Sequence, residues 1–326
     1  RWPPAPDAVR VALLGATGYT GIELLRLLAN HPRAEVVLAT SERYVGRPLE
    51  ELLPGLGLGL RLERLDPERV EAEAALLCLP HGRSQEVVPC LLRRGVRVVD
   101  LSADFRLDAS EYARWYGPHR CPELLAEAVY GLPELYRERI RGARLVANPG
   151  CYPTAVILGL APLCAHRLIE PEVIVDAKSG ASGAGRQPRQ DLHFCEVNED
   201  LRAYALQGHR HLPEMERHLS ELAGQPVAVR FVPHLVPMSR GILATCYARL
   251  RAPWDEGRLR ALFEEFYREE PFVRVLPPGR SPRTLEVRAT NRCHIGLSVR
   301  DGGVVVLAAV DNLVKGASGQ AVQNPN

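Results

Sequence analysis

The segment "VRVALLGATGYTGIELLRLLANHP" (9–32) constrains the fold more than any other stretch of the chain. A short apolar run leads into G-A-T-G-Y-T-G at 15–21, and Ile22, Leu24, Leu25, Leu27 and Leu28 then cover one side of a helix. Glycines between a strand and a helix let backbone approach a diphosphate, and the helix N-terminus adds free N–H groups and partial positive charge. The spacing is G-x-x-G-x-x-G rather than the commoner G-x-G-x-x-G, so in isolation the loop also reads as a plain glycine-rich turn. Its place directly after the first strand favours nucleotide binding. Gly15, Thr17, Gly18, Tyr19, Thr20 and Gly21 are therefore cofactor-site candidates.

Strands and helices keep alternating through the first half. "AEVVLAT" (34–40), "AALLCLP" (74–80) and "VRVVDLS" (96–102) read as buried strands, with a helix in "GRSQEVVPCLLRRG" between the last two. After residue 150 a helical "CYPTAVILGLAPLCAHRL" gives way to alternating segments: "PVAVRFVPHL", "GILATCYARL", "TLEVRAT" and "CHIGLSVRDGGVVVLAAVDN". Period-two patterning and the turn signal "DGG" predict strands, mostly antiparallel. The tail "NLVKGASGQAVQN" reads as a final helix whose small residues suit close packing near a cofactor. The expected class is α/β: a Rossmann-type doubly wound parallel sheet in 1–150, completed by the C-terminal helix 312–326, plus an α+β catalytic and oligomerisation domain in 151–311 with a mixed, largely antiparallel sheet.

Formal net charge is +2, which gives no field that asks for nucleic acid or an acidic membrane. No apolar run approaches the roughly 18–20 residues that span a bilayer. The eight cysteines follow neither Cys-x-x-Cys nor disulfide-scaffold spacing. A reducing, cytoplasmic setting is the expectation.

The second strand ends in "LATSERYVGR", where a dinucleotide fold reads the ribose 2′ position. Glu42 suits a 2′-hydroxyl and NAD, whereas Ser41 and Arg43 suit a 2′-phosphate. Arg43 and Arg47 together tip the reading to NADP, with a solvated charged loop as the plainer alternative. Further on, Pro149-Gly150 breaks the chain just before a helical run. Cys151 then lies at a helix N-terminus, where the dipole and open N–H groups stabilise a thiolate. The thiolate is the form that attacks acyl carbons.

"GHRHLPE" (208–214) offers His209 and His211 as a base for that thiol. The pair at i and i+2 also suits a metal, but no third ligand stands at useful spacing, so no metal is expected. Glu214 reads as a first-turn helix acid or a substrate contact. "DAKSGASGAGRQPR" (176–189) is a small-residue loop with Lys178 and Arg186, able to cradle a phosphate or carboxylate or simply to cross over. "LSADFRL" (101–107) ends the fourth predicted strand and offers Arg106 as an anion clamp.

Taken in order, "GATGYTG" (15–21), "LSADFR" (101–106), "VANPGCYPTAVILGLAP" (146–162), "KSGASGAGR" (178–186), "GHRHLPE" (208–214) and "DNLVKGASGQAVQN" (311–324) resemble the N-acetyl-γ-glutamyl-phosphate reductase family across essentially the whole chain. The resemblance implies an NADPH-dependent enzyme of arginine biosynthesis, cytoplasmic and homo-oligomeric. Such an enzyme reduces an acyl phosphate to a semialdehyde and phosphate through a cysteine thioester. It implies Cys151 as nucleophile with His211 or His209 as acid–base. Gly15, Gly18, Gly21, Ser41, Arg43, Ser182, Gly183, Asn312 and Gly316 would hold NADPH or NADP+. Arg106, Asn148, Lys178, Ser179, Arg186 and Glu214 would hold substrate. A relative that makes aspartate semialdehyde lacks the G-H-R-H segment, and one acting on carrier-linked aminoadipyl phosphate tends to carry Asn after the cysteine, so Tyr152 favours the arginine branch. A non-enzymatic NADP(H)-binding redox sensor would need the glycine loop but not Cys151 with its histidines.

Overall fold

The computed structural model describes residue 5 and residues 7–325. The chain divides into two compact units, residues 1–149 with 317–326, and residues 150–316. Residues 312–316, expected with the first unit, group with the second.

The first unit is built on a seven-stranded sheet. Its strands are β1 (Val9–Leu14), β2 (Ala34–Thr40), β3 (Leu62–Glu63), β4 (Ala74–Leu77), β5 (Arg97–Asp100), β6 (Val129–Tyr130) and β7 (Leu145–Ala147), in the order β3-β2-β1-β4-β5-β7-β6. All its pairings are parallel, and β1 lies between β2 and β4. Alternate residues make the two faces. Ala12, Leu14, Ala75, Leu77, Val98, Leu145 and Ala147 share one core with Val87, Val88 and Leu91 of the helix Ser84–Arg93. The first helix, Tyr19–Ala29, buries Leu24, Leu25 and Leu28.

The second unit has its own seven-stranded sheet. Its strands are β8 (Ile169–Ser179), β9 (Arg202–Ala203), β10 (Ala228–Leu235), β11 (Ile242–Leu250), β12 (Val273–Val275), β13 (Cys293–Arg300) and β14 (Gly303–Val310), in the order β12-β13-β14-β11-β8-β10-β9. Pairing is antiparallel except for β8 with β10 and β12 with β13, so the sheet is mixed. The helix Cys151–Ala165 is apolar on all sides and buried from Tyr152 to Cys164, as a helix inside a core must be. Val173, Val175 and Ala177 of β8 point inward. Ile174, Asp176 and Lys178 alternate outward, leaving Ile174 and its cross-strand partner Tyr247 nearly half exposed.

One sequence expectation fails in an instructive way. "TLEVRAT" does not form a strand: Thr284–Val287 is one helical turn, with Leu285 64% exposed and only Val287 buried. Two alternating apolar residues are too few to commit a segment to a sheet face. The tail is helical from 314 to 323, but it is not α-helical throughout. A π-turn spans Val314–Ser318, and an α-helix follows at Gly319–Gln323. The Asp311 carboxylate accepts the N–H groups of Leu313 and Val314, and Gly316 N–H reaches back five residues to the Asp311 carbonyl.

Candidate active site

In the first unit the three loop glycines have three different reasons to be glycine. Gly15 adopts φ +87°, and a Cβ there would lie 2.5 Å from the Cys78 carbonyl oxygen at the end of β4. A Cβ on Gly21 would lie 2.5 Å from the Gly15 carbonyl. Gly18 has nothing within 4 Å of that position, and as N-cap of the first helix it supplies no side-chain hydrogen bond. Gly15 and Gly21 thus fold the turn tightly, while Gly18 leaves the helix N-terminus bare. That is the cradle a diphosphate needs, and the residues present fit a dinucleotide. Thr40 Oγ1 accepts from Gly15 N–H at 3.0 Å, and the Thr17 and Ser41 hydroxyls lie 2.9 Å apart, tying the loop to the end of β2. Tyr19 is exposed, and the Thr20 carbonyl accepts from Ser318 Oγ. Ser41 is buried and also accepts from Tyr44 N–H. Beside it the Arg43 and Arg47 guanidinium carbons lie 5.4 and 5.7 Å from the centroid of the Tyr44 ring, with Arg47 paired to Glu51.

Arg106 and Asn148 also lie in the first unit, and both are buried. Arg106 donates to the main-chain carbonyls of Asn148 and Leu101, each at 2.8 Å, so it joins the segments that follow β7 and β5. Asn148 Nδ2 donates to the Ala317 carbonyl and its Oδ1 accepts from Asn324, both at 3.0 Å.

Within the second unit, Cys151 is the first residue of its helix, with Gly150 as N-cap and no acidic residue in the first turn. Gly150 has ordinary φ of −66°, so its backbone does not demand glycine. Space does: a Cβ there would lie 2.7 Å from His211 Nε2. The imidazole therefore packs flat against the residue before the cysteine. Glu214, fully buried in the first turn of the helix Leu212–Ala223, accepts from Gly150 N–H at 3.0 Å and fixes the same turn. On the other side a Cβ on Gly316 would lie 3.0 Å from Cys151 Cβ. A side chain at Gly150 would thus collide with His211, and one at Gly316 would crowd Cys151 itself.

His209 sits behind His211, ring centroids 4.8 Å apart, boxed by Tyr152, Tyr204 and Phe231. Its Nδ1 accepts from the His211 backbone N–H at 3.0 Å. Burial, aided by Arg210, pushes its pKa down to about 4. At neutral pH the ring is uncharged, with its proton on Nε2. The Tyr152 and Tyr204 hydroxyls lie 3.0 Å apart, and burial raises both phenols above their ordinary value, Tyr204 to about 12. Among the described residues no group of three His, Cys, Asp or Glu could hold a metal ion.

Of the other cysteines, Cys78, Cys164 and Cys246 are pushed up to about 12 by burial, and Cys121 to about 11. Cys195 is exposed.

The loop after β8 is pinned rather than loose. Gly180, Ala181 and Ser182 donate to the carbonyls of Gly241, Met238 and Ser239. Asn312 is buried, its Oδ1 accepting from Gly241 N–H and its Nδ2 donating to Ser182 Oγ. Gly183 lies beyond, where a Cβ would come 3.3 Å from Ser179 Oγ. Lys178 is in an ion pair with Asp176, and Arg186 is exposed. Ser182, Gly183, Asn312 and Gly316, expected at the cofactor together with the glycine loop, belong to the unit that carries Cys151. The residues that the sequence reading passed over are Tyr204, Phe231, Arg240 and Asp311. Phe231 and Tyr204 come from β10 and the segment paired to it, and no local signal marks them. Asp311 opens the quoted D-N-L segment and carried its own signal.

Two family models match, one described as semialdehyde dehydrogenase, NAD binding domain, over residues 10–143, the other as semialdehyde dehydrogenase, dimerisation domain, over residues 151–312. The chain is 55% identical to the N-acetyl-gamma-glutamyl-phosphate reductase of Geobacter metallireducens and 54% identical to those of Geotalea daltonii and Symbiobacterium thermophilum. Each alignment covers 98% of this chain and 94% of the relative. Among solved structures, aspartate semialdehyde dehydrogenase II of Vibrio cholerae superposes with TM-score 0.75 at 18% identity over 97% of both chains. The NADP-bound aspartate semialdehyde dehydrogenase of Candida albicans gives 0.72 at 16% identity, over 97% of both, and these two likenesses speak to the fold alone. The glycine cradle, the cysteine turn with its packed histidine, and identity of this depth over nearly the full length place the chain in the semialdehyde dehydrogenase family, among the N-acetyl-gamma-glutamyl-phosphate reductases.

Proposed function

We propose that the chain reduces N-acetyl-γ-glutamyl phosphate to the 5-semialdehyde with release of phosphate, using NADPH. The observation that carries this reading is Cys151 at a bare helix N-terminus with the His211 ring packed against Gly150. The Cys151 thiolate attacks the acyl carbon. A carbon–sulfur bond forms, the carbon–oxygen bond to phosphate breaks, and phosphate leaves with the bonding pair. Bound NADPH supplies the hydride that reduces the resulting thioester. The tetrahedral oxygen then takes a proton from His211 and returns it as the carbon–sulfur bond breaks, giving aldehyde and thiolate.

His211 rather than His209 has this role. His209 stays neutral, and its Nδ1 is occupied by the His211 main chain, so it sets the angle of its neighbour. Glu214, Arg106 and Asn148 are read as positioning residues, since the carboxylate of the first and the groups of the other two are engaged by the chain itself. Gly15, Thr17, Gly18, Tyr19, Thr20 and Gly21 hold the cofactor diphosphate, and Arg43, exposed beside the Tyr44 ring, holds its 2′-phosphate. Cysteines left out of disulfides suit a reducing cytoplasm.

A second copy of the chain docks on the outward face of the second unit's sheet, where Ile174 and Tyr247 form an exposed cross-strand pair. Ile174→Asp should lower the assembly by one oligomeric step in sedimentation; an unchanged mass would remove this face from the assembly.

The reaction is tested by mixing enzyme with N-acetyl-γ-glutamyl phosphate in the absence of NADPH. Phosphate should appear up to about one equivalent per chain and then slow, with the acyl group on the Cys151 peptide by mass spectrometry. A linear release of phosphate with no adduct would overturn the mechanism.

A further inference from the structure

The substrate of the proposed reaction carries two anionic groups, a phosphate and a carboxylate, so the cations of the unit that carries Cys151 are candidates to hold one of them. Of the cations singled out by sequence in this unit, Lys178 is in an ion pair with Asp176, for which no main-chain donor stands by among the described residues, and Arg186 is exposed. Arg240 is different. Its side chain is only 17% exposed, and its Nη1 lies 3.4 Å from Asp311 Oδ2.

That carboxylate does not depend on Arg240. Asp311 is fully buried, and its carboxylate already accepts from Ala289 N–H at 2.7 Å, Leu313 N–H at 2.8 Å and Val314 N–H at 3.2 Å. The contact with Arg240 is the longest of the four. Three main-chain donors keep the Asp311 carboxylate satisfied if the guanidinium turns toward an incoming anion, so the move leaves Asp311 hydrogen-bonded. A guanidinium also presents paired donors that match carboxylate or phosphate oxygens.

Arg240 is tied to the cysteine turn from two sides. Asp311 O accepts from Gly316 N–H at 2.9 Å, and Gly316 backs directly onto Cys151. In the other direction, a Cβ on Gly180 would lie 2.9 Å from Arg240 N, so the small-residue loop and the Arg240 backbone touch without intervening side chains. Asn312, the residue after Asp311, holds both Gly241 and Ser182. The side chain therefore springs from a scaffold that leads to the small-residue loop on one side and to the thiol on the other.

We infer that Arg240 is the oxyanion clamp of the second unit: its guanidinium binds the phosphate or the carboxylate of the substrate beside Cys151. The inference rests on the acyl-phosphate reading for the identity of the substrate.

The test runs the reaction in reverse, with N-acetylglutamate 5-semialdehyde, inorganic phosphate and NADP+, on the full-length chain and on Arg240→Lys and Arg240→Gln. The Gln variant should raise one KM by about ten- to 100-fold, with KM for NADP+ unchanged and the Lys variant recovering part of the loss. A rise confined to phosphate identifies the phosphate as the clamped group; a rise confined to semialdehyde identifies the carboxylate. Either supports the clamp. In parallel, inorganic phosphate and N-acetylglutamate are tested for protecting Cys151 against iodoacetamide without cofactor. The Gln variant should lose the protection that one of them gives. Unchanged KM values and unchanged protection, with only kcat or the melting temperature reduced, would make Arg240 a structural tie to Asp311 and end the proposal. Failure of the unmodified enzyme to turn over the semialdehyde would instead strike the acyl-phosphate reading, while the phosphate protection assay still decides the clamp.

Discussion

The two turns to which the chemistry is assigned above both depend on glycine, but for opposite reasons. In the glycine loop of the first unit, Gly15 answers to its own backbone, with φ +87° and the Cys78 carbonyl pressed against it. Its neighbours are local or in the adjoining strand. In the cysteine turn of the second unit, Gly150 has an ordinary φ of −66° and answers to a side chain about sixty positions away, the ring of His211. Gly316 answers to Cys151 from still further along the chain. One turn needs glycine for how its backbone folds, and the other is emptied by what must enter it. Substitutions should separate these two cases.

The largest effect belongs to the thiol itself. Cys151→Ala should lower reductase activity by roughly a thousandfold or more, with the dissociation constant for NADPH unchanged, because the glycine cradle lies in the other unit. Near-normal turnover in that variant would return the cysteine to the status of a packed side chain.

Next come the glycines. Gly150→Ala pushes on His211 without straining the backbone, so it should cost about a hundredfold in kcat with a small change in melting temperature. Gly15→Ala should do the reverse, destabilising the fold by about 1–3 kcal/mol through its left-handed conformation. Gly18→Ala meets no protein atom, so the fold should keep its melting temperature while KM for NADPH rises. If Gly150→Ala and Gly15→Ala gave the same balance of kcat and stability losses, the contrast between the turns would collapse.

Cofactor choice sharpens the first half of the comparison. Removing a charge-assisted contact costs about 1.5–3 kcal/mol, so Arg43→Ala should reduce kcat/KM with NADPH by about ten- to 150-fold and leave NADH use little changed. Arg47, held by Glu51, should matter less. Equal use of NADPH and NADH by the unmodified enzyme would remove the 2′-phosphate from the role assigned to Arg43.

The first turn was readable because its information is contiguous: strand, three glycines and an amphipathic helix occupy 9–29. The apolar run after Cys151 was equally plain, and the alternating segments at β11, β13 and β14 are strands in the structure. What sequence alone could not settle was the choice between His209 and His211. The preference proposed here for His211 rests on which ring touches Gly150 and which is buried among Tyr152, Tyr204 and Phe231, and those contacts join segments far apart in the chain. The positioning role proposed for Arg106 and Asn148 rests on contacts of the same kind. Arg240 escaped notice because "PMSRG" has no periodicity of its own, and its meaning comes from Asp311, seventy-one positions later.

The smallest expected effect concerns pH, and it too differs between the units. His209 in the second unit has a folded-state pKa near 4 against an ordinary 6.5, because burial disfavours the charged ring. The unfolded chain therefore takes up a proton first, and the stability that His209 contributes is present above about pH 6.5 and lost as pH falls toward 4. Asp100 in the first unit is raised from 3.8 to about 6 by burial, which the hydroxyls of Ser102 and Ser84 only partly offset. Here the folded chain holds the proton more tightly, so the contribution is present below about pH 3.8 and lost as pH rises through 6. Between pH 7.5 and pH 5 the two work against each other, and the unmodified protein shows only their difference. Melting curves of His209→Asn and Asp100→Asn at both pH values separate them. The His209 variant should lose less melting temperature on acidification than the unmodified chain, and the Asp100 variant should lose more. In His209→Asn the side-chain amide oxygen can still accept the His211 N–H, as a short polar side chain two residues back commonly does, so this variant tests the ring's titration apart from its positioning role. If both variants tracked the unmodified protein across that interval, neither buried group would be titrating where its surroundings place it, and the neutral state assigned to His209 in the mechanism would lose its support.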